Sequence, residues 1–453
     1  MRDGDALSID LPPTVAEVLR TLLSSGAEAV LVGGCVRDLV RGEEPADWDL
    51  ATSAPPESVA GLFPGSTWEN AFGTVTVIHP GGEPGIEVTT YRVESGYRDR
   101  RRPDAVHWGR SLTEDLARRD FTINAMAWLP GEGTGHGRLV DPFGGAADLG
   151  AGLLRAVGDA DARFGEDALR LVRAVRLASR FELAIDPATE EAIRRHAPEA
   201  SGLSGERVRD ELMRILSGAA PPSRALALME QLGLLTVLLP ELAALRGIPQ
   251  TKPMAGDALD HSLRAADALP AADPVLRLAG LLHDLGKVTT QSDGHFLQHE
   301  QAGERLAGQV MLRLRAPRAE MTRVGRLVLH HMFTYSPDWT DAAVRRFVRR
   351  VGAGLLPDLF ALRAADDAAS GVRDPAVGGW EELRRRTTAA IASDPLEASH
   401  LAVSGDDLVA ELGIDPGPLI GRLLAALLEE VLEDPTLNSR DRLLALARTM
   451  ASG

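Results

Sequence analysis

The chain has 453 residues, too many for one compact core, so two to four domains are expected. Apolar residues make up 44% and charged residues 25%, an ordinary globular balance, and the single cysteine, Cys35, excludes an internal disulfide. The formal net charge of −16 counts against a general nucleic-acid binder, because phosphate contacts need Lys and Arg.

Low aromatic content (4%) with abundant Ala, Leu and Arg favours helices. The first residues lack a basic region followed by an apolar core, so no signal peptide is expected. No apolar stretch is long enough to span a bilayer, and a lone cysteine suits a reducing compartment, so the expected location is cytoplasmic, with no membrane partner. In chain order, residues 13–24 carry Val15, Val18, Leu19, Leu22 and Leu23 at helical spacing and form an opening helix that ends near Gly26. Strands are expected at 28–32, 47–51, 74–78 and 86–91, where apolar residues such as Val75, Val77, Ile86 and Val88 alternate with smaller or polar ones. From about residue 160 amphipathic helical patterns take over, punctuated by Pro221-Pro222, Pro240, Pro253 and Pro274, with a break near Pro375 to Gly379. The expected fold class is α+β. A head over 1–150 has a mixed sheet with helices, followed by an all-α neck (151–255), a further helical domain (256–372) and a helical tail (373–453).

The most informative stretch is Leu31-Val-Gly-Gly-Cys-Val-Arg-Asp38, followed by Asp47-Trp-Asp-Leu-Ala-Thr52. On a strand, Asp47 and Asp49 would point the same way and repel unless a cation sat between them. Mg²⁺ prefers such hard oxygen ligands and shares its other positions with phosphates. Gly33 and Gly34 lack Cβ and lead into a helix, so backbone amides and a positive helix end can approach a triphosphate. These parts describe phosphoryl or nucleotidyl transfer. On Gly33, Gly34, Arg37, Asp38, Asp47, Asp49, Ala51 and Thr52 the chain resembles the class II nucleotidyltransferases, the family of bacterial tRNA CCA-adding enzymes and poly(A) polymerases. In that family the strand carrying Glu87 lies beside the Asp pair, which implies Glu87 as a third catalytic carboxylate with Asp47 and Asp49.

The resemblance continues. Residues 94–106, basic and glycine-containing, look like the flexible loop of enzymes that incorporate A. Asp115 to Met126 matches the next motif, with Arg118, Arg119, Asp120 and Asn124 implied in triphosphate and ribose binding alongside Arg37. Residues 139–145 with Asp148 match a segment thought to act as a hinge. Phe164 to Leu177 reads as one helix that sets Asp167 and Arg170 on a shared face. They form either a helical ion pair or a base-reading pair. Cytosine and adenine both present an amino donor beside a ring-nitrogen acceptor, which an Asp acceptor next to an Arg donor complements. Uracil and guanine present the reverse order and leave buried groups unpaired. The family's Glu-Asp-x-x-Arg motif implies the second role, with Arg173 in support; Glu206 and Arg207 read as structural.

A second constellation is His261, His283-Asp284, His299, His331 and Asp366, with His330 and Asp367 as competing positions. Gly286 reads as the stop of the helix that carries the doublet. The order of these ligands resembles the HD-domain metal-dependent phosphohydrolases, which makes 256–372 an HD domain and implies a metal that activates water against a phosphoester. Imidazole with carboxylate suits Mn²⁺, Ni²⁺, Fe²⁺ or Zn²⁺ better than Mg²⁺ alone.

The function expected from these resemblances is addition or repair of the tRNA 3′ CCA end from CTP and ATP, with an HD phosphohydrolase as second activity. The alternatives are an A-adding or CC-adding partial enzyme, a poly(A) polymerase, or an HD phosphohydrolase acting on RNA ends. Ala71-Phe-Gly-Thr-Val75 looks like the CCA type. So acidic a chain must bind RNA through confined basic stripes. The arginine clusters at 98–102, 345–350 and 384–386 are more often solvated helix faces than binding sites.

Overall fold

The computed structural model describes residues 1–69, 73–78, 85–95, 105–109, 111–131, 135–250, 252–292, 295–371 and 379–452. Helix α1 (Pro13–Ser24) starts with a proline in its first turn and buries Val15, Val18, Leu19 and Leu22 on one stripe. The strands of the head are β1 (Ala6–Ser8), β2 (Ala29–Val32), β3 (Asp49–Thr52), β4 (Thr67–Glu69), β5 (Thr74–Val77), β6 (Ile86–Thr90), β7 (Arg92–Ser95), β8 (Ala105–Trp108), β9 (Ala127–Pro130) and β10 (His136–Val140). Eight of them form one mixed sheet in the order β1-β10-β9-β2-β3-β6-β5-β4, while β7 and β8 pair separately as an antiparallel ribbon. Only β3 and β6 run parallel within the large sheet. Its helices are α2 (Gly34–Arg41), α3 (Pro56–Leu62), α4 (Leu112–Ala117) and α5 (Gly145–Gly150).

Strand alternation sorts the core onto both faces of the sheet. Ala29, Leu31 and Leu50 pack with Val18, Leu22, Val36 and Val59 from α1, α2 and α3. Val30, Val32 and Ala51 face the other way, onto Tyr91, Leu116 and Val157. Burying each such Leu or Val contributes about 1.5–3 kcal/mol, which fixes β2 and β3 and hence the residues at their ends. Beyond the head come α6 (Ala160–Glu166), α7 (Leu169–Phe181), α8 (Pro187–His196) and α9 (Gly205–Leu216). These helices belong with the head to one compact unit, residues 1–220 with 224–238. The second unit, 221–223 with 239–453, is helical apart from a two-residue strand pair, Gln291–Ser292 with His295–Phe296.

Several expectations are corrected. The strand expected over 47–51 begins at Asp49, and Asp47 sits in an exposed bend before it. The single helix expected over 164–177 is two: α6 ends at Glu166, Asp167 is extended (φ −150°), and α7 starts at Leu169. Gly286 does not stop a helix in the left-handed region, since its φ is −61°. A Cβ there would lie 1.9 Å from the His299 carbonyl oxygen, so this glycine admits a neighbouring helix instead. Three arginines of the 345–350 cluster are spent internally. Arg345 is buried and donates to the carbonyls of Leu432 and Glu433 and to Asp394, while Arg346 and Arg349 pair with Glu429. The hinge expectation for 139–145 is not among these corrections: there the Asp141 carboxylate accepts the amides of Gly145 and Ala146. The 98–102 cluster, most of the 94–106 loop, residues 71–72 and most of the 375–379 break lie outside the described residues.

Candidate active sites

In the head, β2 runs into Gly33, whose φ of 77° lies in the left-handed region. A Cβ at Gly33 would meet Arg119 Nη1 at 2.7 Å, so this glycine provides both the turn and room for the arginine. Gly34 then opens α2, whose free amides and positive end face the same space. Parallel pairing of β3 and β6 puts Asp49 and Glu87 in register as Cα partners. Both line a cleft of about 850 Å³ together with Gly33, Gly34, Arg37, Arg118, Arg119, Asp120, Asn124, Asp167, Arg170 and Arg173. The Asp49 carboxyl is pushed up to about 6, by burial first and then by the negative charge of Glu87; Asp47 adds to this and Arg119 opposes it. Clustered acids whose repulsion the protein leaves uncompensated fit a hard divalent cation.

The same cleft is lined by arginines held in place by other side chains. Buried Asp115 pairs with both Arg118 (2.8 Å) and Arg119 (3.3 Å). Arg37 grips Asp38 through Nε (2.9 Å) and Nη2 (2.7 Å), donates to Asn124 Oδ1 (2.8 Å) and lies over the Phe181 ring. Asp120 accepts from the Phe121 amide, Asn124 Nδ2 and Arg173 Nη1, the last at 2.9 Å. Side chains already held this way lose little freedom when a ligand arrives.

Of the two readings of Asp167 and Arg170, the helical ion pair does not form. Asp167 Oδ1 accepts the Leu169 amide (3.0 Å) and Oδ2 accepts Arg207 (2.6 Å). Arg170 pairs with Glu166 (2.5 Å) and donates to the carbonyls of Arg163 and Arg118. The break after Glu166 thus presents the two side chains separately to one cleft. Arg207 is a cleft residue that sequence reading set down as structural, and Arg176, Arg180 and Arg214 line the cleft unassigned. The signal for the α7 group was present: Arg170, Arg173, Arg176 and Arg180 recur every three or four residues and so share a helix face.

In the second unit His261, His283, Asp284, His299, His331 and Asp366 converge. His261 and His283 approach through their Nε2 atoms at 3.2 Å, as do His299 and His331. Asp284 turns Oδ2 toward His283 (3.4 Å) and Oδ1 toward His299 (3.4 Å), and His261 Nε2 lies 2.9 Å from Asp366 Oδ1. His283, His299 and His331 each place Nδ1 on a main-chain carbonyl, of Gly280, Phe296 and Val328, so their Nε2 lone pairs face one another. That arrangement is costly without a shared cation and fits a divalent metal. Burial works against the Asp284 charge, yet the His283, His299 and His331 imidazoles hold its carboxyl well below the usual carboxylate range. His331 enters the cluster and His330 does not; His330 lies nearer Arg350 and Arg326, and Asp367 is taken by Arg363 and Trp380.

The class that this fold and these sites define is a nucleotidyltransferase with an appended HD module. Residues 29–155 match the poly A polymerase head domain, 182–245 the RNA- and SrmB-binding site of polymerase A, 258–369 the HD domain and 385–447 tRNA nucleotidyltransferase domain 2. The chain belongs to the CCA-adding enzyme family of tRNA nucleotidyltransferases. It is 34% identical to the CCA-adding enzyme of Lactiplantibacillus plantarum over 96% of this chain and 95% of that one. It is 36% identical to the A-adding tRNA nucleotidyltransferase of Deinococcus radiodurans over 88% of this chain and 91% of the relative. The crystal structure of the Bacillus stearothermophilus CCA-adding enzyme in complex with CTP superposes with a TM-score of 0.71 at 29% identity, covering 98% of each chain.

Proposed function

We propose that the chain adds or repairs the 3′-terminal CCA of tRNA, taking CTP and ATP without a nucleic-acid template and releasing pyrophosphate. The observation that carries this reading is the convergence of Asp49 and Glu87 with Asp167 and Arg170 on one cleft. Asp49 and Glu87 of this cleft, with Asp47 from the bend before β3, would hold Mg²⁺. A bound Mg²⁺ would supply a lowered pKa for the tRNA 3′-hydroxyl and charge stabilisation for the leaving pyrophosphate. The amides at Gly33 and Gly34 and the guanidinium groups of Arg37, Arg118 and Arg119 cradle the triphosphate. Asp120, oriented by Arg173, and Asn124 meet the ribose hydroxyls. Asp167 accepts the base's amino group and Arg170 donates to its ring nitrogen, so cytosine and adenine satisfy the pair and uracil and guanine leave it unpaired.

In this reading residues 1–150 perform the chemistry and 151–255 select the base and hold the acceptor end. Residues 256–372 form an HD phosphohydrolase with Mn²⁺, Ni²⁺, Fe²⁺, Zn²⁺ or Mg²⁺ on His261, His283, Asp284, His299, His331 and Asp366, and 373–453 form the tail. Among the described residues no helix is long and apolar enough to cross a membrane, and the proposed place of action is the cytoplasm.

The test is the product ladder from trimmed tRNA supplied with CTP, ATP or both. Stepwise addition of two C and one A is expected. The second reading, an A-adding enzyme, has the Deinococcus relative in its favour and would extend only tRNA that already ends in CC. Failure with both nucleotides ends the proposal.

A further inference from the structure

Three of the four imidazoles in the HD cluster are fixed by main-chain carbonyls, and the fourth is not. His261 Nδ1 is buried and has no hydrogen-bond partner among the described residues. Its ring is held from the other side, where Lys252 Nζ lies 2.9 Å from His261 Nε2 and 3.0 Å from Asp366 Oδ1. Lys252 therefore lies against the same imidazole nitrogen and the same carboxylate oxygen that a cation on this side of the cluster would need. The other lysine, Lys287, donates to Asp284 Oδ2 and Gln250 Oε1 and touches no imidazole nitrogen of the set.

Charge points the same way. Asp284 and Asp366 are balanced by the ammonium groups of Lys287 and Lys252, so with neutral imidazoles the cluster is neutral without any metal. A divalent cation added to it needs a positive charge to leave or an anion to arrive. Lys252 is the one with an opening to solvent through which to withdraw: its side chain is 24% exposed, against 7% for Lys287.

We propose that Lys252 is an internal counter-ion that competes with metal for the His261–Asp366 side of the HD ligand set, so that loading of this side is an exchange in which the ammonium withdraws. This rests on reading the cluster as a metal site. The apparent metal affinity is then the intrinsic affinity reduced by the fraction of time the lysine is away. Withdrawn, the ammonium is left beside the metal position, where a phosphate oxygen of a substrate would meet it.

The test is titration of the full chain with Co²⁺, followed by visible absorption, which reports the histidine-containing set rather than the oxygen-only head site. Lys252→Met and Lys252→Gln are compared with the unaltered protein at fixed pH and ionic strength, with thermal melting to check that each is folded. Both variants are expected to bind Co²⁺ about tenfold more tightly or better, with bands of unchanged shape. Unchanged or weaker affinity in a folded variant overturns the proposal. If all three proteins lack the bands, the metal-site reading itself fails and the proposal falls with it.

Discussion

Replacing Arg207 by alanine removes the ion pair at 2.6 Å that anchors Asp167 Oδ2, leaving the carboxylate held only through Oδ1 by the Leu169 amide. The two side chains are 23% and 20% exposed, sheltered enough for a charge-assisted bond to count. Such a bond contributes about 1.5–3 kcal/mol, which corresponds to a loss of about 10- to 150-fold in kcat/KM if it orients Asp167 in the transition state. The loss should fall on CTP and ATP, whose amino groups need the oriented acceptor. It should spare UTP and GTP, so selectivity narrows while tRNA affinity holds. Arg207→Lys should recover part of it. The assay is single-nucleotide incorporation into trimmed tRNA with each of the four triphosphates. An equal loss for all four, or a fall in melting temperature with selectivity intact, would refute the reasoning and return Arg207 to a purely structural role.

Asp49→Ala should abolish nucleotide addition and leave phosphate release from RNA ends intact, and Asp284→Ala should do the reverse; end-labelled tRNA reports both. Gly286→Ala forces a Cβ to within 1.9 Å of the His299 carbonyl oxygen and 2.6 Å of the Gly303 amide, so a loss of at least about 1–3 kcal/mol is expected in denaturant unfolding. Arg345→Met strips two carbonyls and Asp394 of a buried donor and should cost about 2–4 kcal/mol, whereas Arg349→Ala, at an exposed pair, should cost under about 1 kcal/mol. Unchanged tRNA affinity in both arginine variants is expected, because Arg345 and Arg349 are already paired with acids within the protein.

Legibility followed the range of the interaction. Helix α1 was readable because its stripe and its proline start are local. Strands β5 and β6 were readable from alternation, but β1, β9 and β10 are only three to five residues long, β9 ends in Pro130 and β10 opens on His136-Gly137, and their sheet partners hold them extended. The break at Asp167 was hidden because Glu166, Asp167 and Ala168 are compatible with an uninterrupted helix; one Asp167 oxygen accepts the Leu169 amide, and the other is taken by Arg207, forty residues on. In the same way the Asp49–Glu87 register depends on a parallel strand pair, and Lys252 meets Asp366 across 114 residues. The motifs named the residue types of the head cleft and the HD cluster. Which partner each side chain takes, and that Arg207 and Arg214 join the α7 arginines at the cleft, depended on tertiary contacts that no spacing encodes.

The most direct measurement is a crystal structure of the chain with CTP and Mg²⁺. The account predicts the triphosphate over the Gly33–Gly34 turn, the metal on Asp49 with its neighbouring acids, and the cytosine edge on Asp167 and Arg170. A base bound away from that pair, or a metal that Asp49 does not touch, would contradict it.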